Sequence, residues 1–170
     1  MIEFKDIPKT AMVIFAHPDD AEIGTGATAA KWVNSGCKVV YVLATSGSSG
    51  SNDLTMTSEK IVDIRSKEQQ DAGKVIGVED IVSLNYTDGE LESNRDLLSD
   101  LVFCIRKYKP EIVFTHDPFR MNNFLHRDHR NLGFSVMDAI YPYARDHLHF
   151  PEQINKEIQP YKVKKLLFWG

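Results

Sequence analysis

Met12-Val-Ile-Phe-Ala-His-Pro-Asp-Asp-Ala-Glu-Ile-Gly-Thr-Gly-Ala27 is the stretch that decides the fold. Its first five residues form a short, continuously apolar run of strand length. Ile23, Ala27, Ala30 and Val33 then recur at helical spacing, and Asn34-Ser-Gly36 predicts the stop of that helix. A buried strand feeding directly into a helix is the opening of an α/β unit.

The same alternation continues outward. Val39–Leu43 predicts a second strand, which runs into the small-residue loop Thr45-Ser-Gly-Ser-Ser-Gly-Ser51. Ile61, Ile64, Ala72, Val75 and Ile76 mark a second helix ending at Gly77. Ile81–Leu84 is a short strand, Thr87-Asp-Gly89 a turn, and Leu97, Leu101, Cys104 and Ile105 a third helix closed by Lys109-Pro110. Ile112–Thr115 is a fourth strand, Asn131–Ala139 a fourth helix after a long loop, and Val163–Trp169 a last strand. The expected fold is a Rossmann-like α/β three-layer sandwich, a mostly parallel sheet with helices on both faces. Right-handed crossovers bring the strand C-termini to one edge, where ligands bind near a switch in strand order.

The 170 residues suit one domain, 1–170, with enough chain to bury a core without disulfide or structural metal. The strand-like ending Lys164–Gly170 leads us to expect a further C-terminal piece, so the domain is read as incomplete there. Lys plus Arg number 20 and Asp plus Glu 24, a net charge of −4 that argues against a nucleic-acid groove or an anionic membrane surface. Cys37 and Cys104 lie among apolar residues without CxxC spacing and are read as buried free thiols. The N-terminal MIEFKDIPKT lacks the apolar stretch of a signal peptide, and no run approaches a membrane span. A cytoplasmic protein is expected, and a homo-oligomer is compatible with this composition.

Two clusters carry chemistry. His17 and Asp20 follow the first strand, three residues apart, and a turn tipping into a helix would converge them on one point. Imidazole and carboxylate are ordinary zinc ligands. The competing reading is helix capping by the Asp19-Asp20 pair, although capping gives no reason for a histidine. The second cluster, His126-Arg-Asp-His129, opens the fourth helix on the same sheet edge. A lone HxxH is more often a surface pair; the shared edge favours metal. Two histidines and one aspartate leave a tetrahedral zinc one open position.

His17-Pro-Asp-Asp20 with His126-x-Asp-His129 resembles the LmbE-like (PIG-L) deacetylases, zinc enzymes that remove acetyl groups from N-acetylglucosaminyl substrates. Leu43–Gly50, Arg65-Ser-Lys-Glu68, Asp88-Gly-Glu-Leu91 and Lys109–Thr115 resemble the family's intervening segments in order and spacing. The resemblance implies zinc ligands His17, Asp20 and His129, a general base at Asp19, an intermediate-stabilising His126 beside Asp128, and a substrate-pocket Arg65. The same arginine, read alone, equally suits a solvated pair with Glu68. One departure is Ala21, which separates Asp20 from the acidic Glu22.

The implied activity is zinc-dependent removal of an acetyl group from a small N-acetylated sugar or glycoconjugate. Water bound to zinc would be the nucleophile, with Asp19 as base and His126, protonated or held as a donor by Asp128, stabilising the oxyanion. Fe2+ suits the same ligands. The rivals are an amidase acting on a larger amide conjugate and a non-catalytic metal-binding protein of this fold. His116 ends a strand on the functional edge, whereas His147 and His149 read as surface residues. The Gly/Ser loop lacks GxxxxGK[ST] and reads as a backbone turn near the site rather than a phosphate cradle.

Overall fold

The computed structural model describes residues 7–121 and 124–170. Met1–Asp6, part of the segment read as lacking a signal peptide, lie outside the described residues. Five strands, β1 (Thr10–Phe15), β2 (Lys38–Thr45), β3 (Asp80–Tyr86), β4 (Ile112–His116) and β5 (Lys165–Trp169), form one sheet in the order β3-β2-β1-β4-β5. Every neighbouring pair is parallel. Four helices connect them: α1 (Asp20–Asn34), α2 (Ser58–Ile76), α3 (Arg95–Tyr108) and α4 (Arg127–Asp138).

The central β1 shows why the opening run is apolar throughout. Met12, Ile14 and Ala16 face a core shared with Leu97, Leu101 and Ile105 of α3 and with Leu132 and Val136 of α4. Ala11, Val13 and Phe15 face the opposite core, with Ala21, Ala29 and Trp32 of α1. A strand covered on both sides has no solvent face to alternate with. The expected three layers are therefore present. Cys37 and Cys104 are buried free thiols, as read. Among the described residues no helix is long and apolar enough to cross a membrane.

Three expectations shift. The stripe of α1 that packs on the sheet is Ala21, Thr25, Ala29 and Trp32, not the one through Ile23, which is 82% exposed. Because Asp20 turns inward at the helix start, the sheet-facing side begins one residue later, and Ile23 points to the mouth of a cavity. In α2, Ile64 and Val75 are exposed while Gln69 and Gly73 are buried. Helix α4 begins at Arg127, four residues ahead of Asn131, because the His126 ring accepts the Asp128 backbone N–H at 3.1 Å and caps it.

One feature carried no signal in the sequence. The side chain of Arg106 on α3 is fully buried and donates to the carbonyls of Ala144, Tyr143, Asp146, His149 and Phe150. It thereby satisfies much of the irregular chain between α4 and β5, whose carbonyls have no ladder partner.

Candidate active site

The sheet order reverses beside β1: β2 and β3 lie on one side, β4 and β5 on the other. The C-terminal ends of β1 and β4 thus bound the crevice where α/β sheets hold ligands. His17 follows β1, His116 closes β4, and His129 lies in the first turn of α4. Asp20 starts α1, and its Oδ2 accepts the His17 backbone N–H at 2.8 Å.

Three side chains converge on one point. His17 Nδ1 lies 3.2 Å from His129 Nε2 and 3.4 Å from Asp20 Oδ2, and His129 Nε2 lies 3.2 Å from that same oxygen. Ligands held tetrahedrally at roughly 2.0–2.1 Å from a metal have mutual separations of roughly 3.3–3.4 Å. The donor triangle therefore has the dimensions of one face of such a tetrahedron.

Other groupings of histidine and aspartate lie close by, and their hydrogen bonds set them apart. A ring nitrogen of His126 approaches those of His17 and His129 within 4.8 Å, and His116 approaches Asp20 and His129 equally. However, His116 Nε2 accepts the Ala16 N–H at 3.1 Å, and His126 Nδ1 accepts that of Asp128. With Nδ1 so engaged, a neutral His126 keeps its proton on Nε2 and presents a donor. His116 instead stacks on His129 at 3.8 Å between ring centres.

Asp128 is fully buried, and its carboxylate does not serve His126. Oδ2 accepts from Gly89 N at 2.7 Å and from His17 Nε2 at 3.1 Å, while Oδ1 accepts from Leu91 N at 3.2 Å. What reaches His126 is the Asp128 backbone. Asp88, which sequence reasoning placed only within a segment match, lies 3.2 Å from His17 Nε2 and accepts the Ser49 N–H at 3.0 Å. Two carboxylates on the Nε2 edge hold the proton there and leave Nδ1 free for a cation.

The charges follow from this packing. Burial opposes ionisation of Asp20, but contacts with His116, His129 and His17 hold its carboxyl far below the usual range. Burial likewise disfavours a charged His17, yet Asp20, Asp128 and Asp88 together carry its pKa above the ordinary value. Burial, then the nearby His17 and His129, lower the pKa of His126 despite Asp128. Burial also lowers that of His116, only partly offset by Asp20.

Asp19 occupies the N-cap of α1 at φ 96°, but its side chain makes no cap hydrogen bond. The capping reading therefore does not describe it. A non-glycine residue held at positive φ is strained, a feature that clusters at functional sites. Its carboxylate pairs with Arg65 Nη2, and its N–H donates to Gln69 Oε1 at 3.3 Å. Arg65 thus meets Asp19 rather than Glu68. It lines a cleft of about 150 Å³ with Pro18, Asp19 and Gln69. A larger cavity of about 400 Å³ opens beside Asp20 and His129, walled by Ile23, Arg120, Leu125 and Trp169. Neither Arg120 nor Trp169 stood out as a site residue in sequence, since neither belongs to a spaced motif.

The family model described as PIG-L, GlcNAc-PI de-N-acetylase, matches residues 12–140, which include both clusters. The chain belongs to the PIG-L family. A diacetylchitobiose deacetylase of Thermococcus kodakarensis is 36% identical over 137 residues, covering 81% of this chain and 51% of that protein. A probable N-acetyl-alpha-D-glucosaminyl L-malate deacetylase 2 of Bacillus cereus is 31% identical over 134 residues, covering 76% of this chain and 60% of that one. The solved N,N'-diacetylchitobiose deacetylase of Pyrococcus horikoshii superposes with a TM-score of 0.89 at 31% identity. That match covers 95% of this chain and 60% of the solved one. The chain thus spans between half and three fifths of the length of these PIG-L relatives.

Proposed function

We propose that this chain carries the catalytic centre of a metal-dependent N-deacetylase acting on an N-acetylglucosaminyl compound. The observation that carries the reading is the triangle of His17 Nδ1, Asp20 Oδ2 and His129 Nε2, with sides of 3.2–3.4 Å; Asp19, the residue before Asp20, is left outside it and pairs with Arg65. Family membership and the named activities of the relatives support the acetyl-sugar assignment. Zinc is the metal proposed, and iron(II) suits the same donors. When bound, such an ion polarises a carbonyl and lowers the pKa of water.

The residues divide the remaining work. Asp19 accepts the proton of the attacking water as its oxygen bonds to the acetyl carbon. His126 donates its Nε2–H to the oxygen of the tetrahedral intermediate. With Nδ1 accepting the Asp128 backbone N–H, His126 carries its proton on Nε2 alone, so releasing that proton would create an imidazolate. Asp19 therefore hands its acquired proton to the departing amine as the C–N bond breaks, giving the free amine and acetic acid, which loses its remaining proton to solvent as acetate. Asp128 and Asp88 orient His17, and the 400 Å³ cavity beside His129 receives the sugar.

Acetate release from a panel of N-acetylated sugars, run with and without a chelator and with zinc or iron(II) restored, tests the reading. Metal-restored release from N-acetylglucosaminyl compounds is expected. Cleavage confined to larger acyl conjugates would indicate an amidase, and metal binding without any turnover a binding protein.

A further inference from the structure

We propose that the cavity beside His129 takes a substrate whose aglycone carries an anionic group, a carboxylate or a phosphate, and that Arg120 is the residue that reads it. The inference rests on the reading of this site as an N-deacetylase and adds what the acetylated sugar is attached to.

The cavity has two unlike walls. One is apolar, formed by Ile23, Leu125 and the half-buried Trp169 at the end of β5. Trp169 is seated there by the lack of a side chain opposite: a Cβ on Gly24 of α1 would come 2.4 Å from its Nε1. Its ring lies 4.7 Å from that of His116, which in turn stacks on His129. The indole is thus fixed beside the donor triangle, and an aromatic face so placed suits the C–H face of a pyranose.

The other wall carries charge. Arg120 lines the cavity from the loop between β4 and α4. Its stem is packed, since a Cβ on Gly170 would come 3.1 Å from Arg120 Cδ. Its backbone N–H donates to Asp117 O at 3.4 Å, and Asp117 N donates to Trp169 O at 2.9 Å, which ties this turn to β5. Among the described residues the guanidinium meets no hydrogen-bond, ion-pair or ring partner. Arg127, by contrast, spends its guanidinium on Gly89 O, Leu91 O and Glu92. Asp117 shares the wall, but its Oδ1 accepts the Phe119 N–H at 2.9 Å. An arginine with an anchored stem and unengaged donors is preorganised for a carboxylate or phosphate, which it grips through paired charge-assisted hydrogen bonds. A neutral hydroxyl gains less from the same donors. The volume of about 400 Å³ is that of a small-molecule site, which pairs apolar walls with a few placed polar groups.

Three N-acetylglucosamine compounds that differ only at the anomeric group test the proposal: the methyl glycoside, the glycoside of lactic acid and the 1-phosphate. Binding is followed by tryptophan emission, because Trp169 shares the chain only with Trp32 of the core. Turnover is followed by acetate release from the metal-restored protein. The wild type is expected to favour at least one anionic compound over the methyl glycoside about 10- to 100-fold in Kd and kcat/KM. The compound that gains tells carboxylate from phosphate. Arg120→Gln is expected to abolish the preference, and Arg120→Lys, which keeps the charge, to retain part of it. Equal affinity of the wild type for all three, or a preference that survives Arg120→Gln, would overturn the proposal. An Arg120-dependent binding preference without acetate release from any compound would support it while refuting the deacetylase reading.

Discussion

The Nε2–H of His17 donates to Oδ2 of Asp128 across 3.1 Å, and the opposite ring nitrogen, Nδ1, faces Asp20 and His129. This buried carboxylate, together with Asp88 on the same edge, thus chooses the tautomer of a proposed ligand. Removing it should weaken metal binding without removing a donor atom. Asp128→Ala is expected to raise the metal dissociation constant roughly 10- to 100-fold in chelator competition. An unchanged constant would show that His17 is oriented by other means.

His126 should behave differently. Its role is to present Nε2–H, with Nδ1 engaged by the Asp128 backbone. His126→Ala is expected to lower kcat roughly 100- to 1,000-fold while metal stoichiometry stays the same. Loss of metal in that variant would instead make His126 a ligand.

The two thiols offer a check on packing. Burial, with the charge of Glu111, pushes the Cys37 thiol up to about 11; burial, with Asp100, pushes Cys104 to about 12. At pH 8 both should stay protonated and unreactive toward a disulfide reagent in the native protein, and both should react after unfolding. Rapid native labelling would contradict the burial described.

Arg106 is expected to matter for stability far from the site. Arg106→Met removes donors to five carbonyls between Tyr143 and Phe150 and should destabilise by on the order of 3 kcal/mol in denaturant unfolding. Proteolysis within residues 143–153 should rise in parallel. A change within about 0.5 kcal/mol would make the buried guanidinium incidental.

Much of this was legible in the sequence because its signals are local. The apolar runs at 12–16, 39–43 and 112–115 mark strands, and the HPDD and HRDH spacings bring the two clusters to one edge. What escaped depends on long-range packing. Asp88 and Asp128 meet His17 from segments about 70 and 110 residues away, and Arg106 serves carbonyls some 40 residues on. The periodicity of α1 misled because Ile23, an apolar residue, borders a cavity instead of the core. Sequence also joined Asp128 to His126 through its side chain, where the contact runs through the backbone.

The central claim is that Asp19 is the base beside a metal held by other residues. Asp19→Asn, assayed for acetate release and bound metal in the same preparation, tests it most directly. The account predicts unchanged metal stoichiometry with kcat lowered roughly 100- to 10,000-fold. Wild-type turnover in the metal-loaded variant would contradict it.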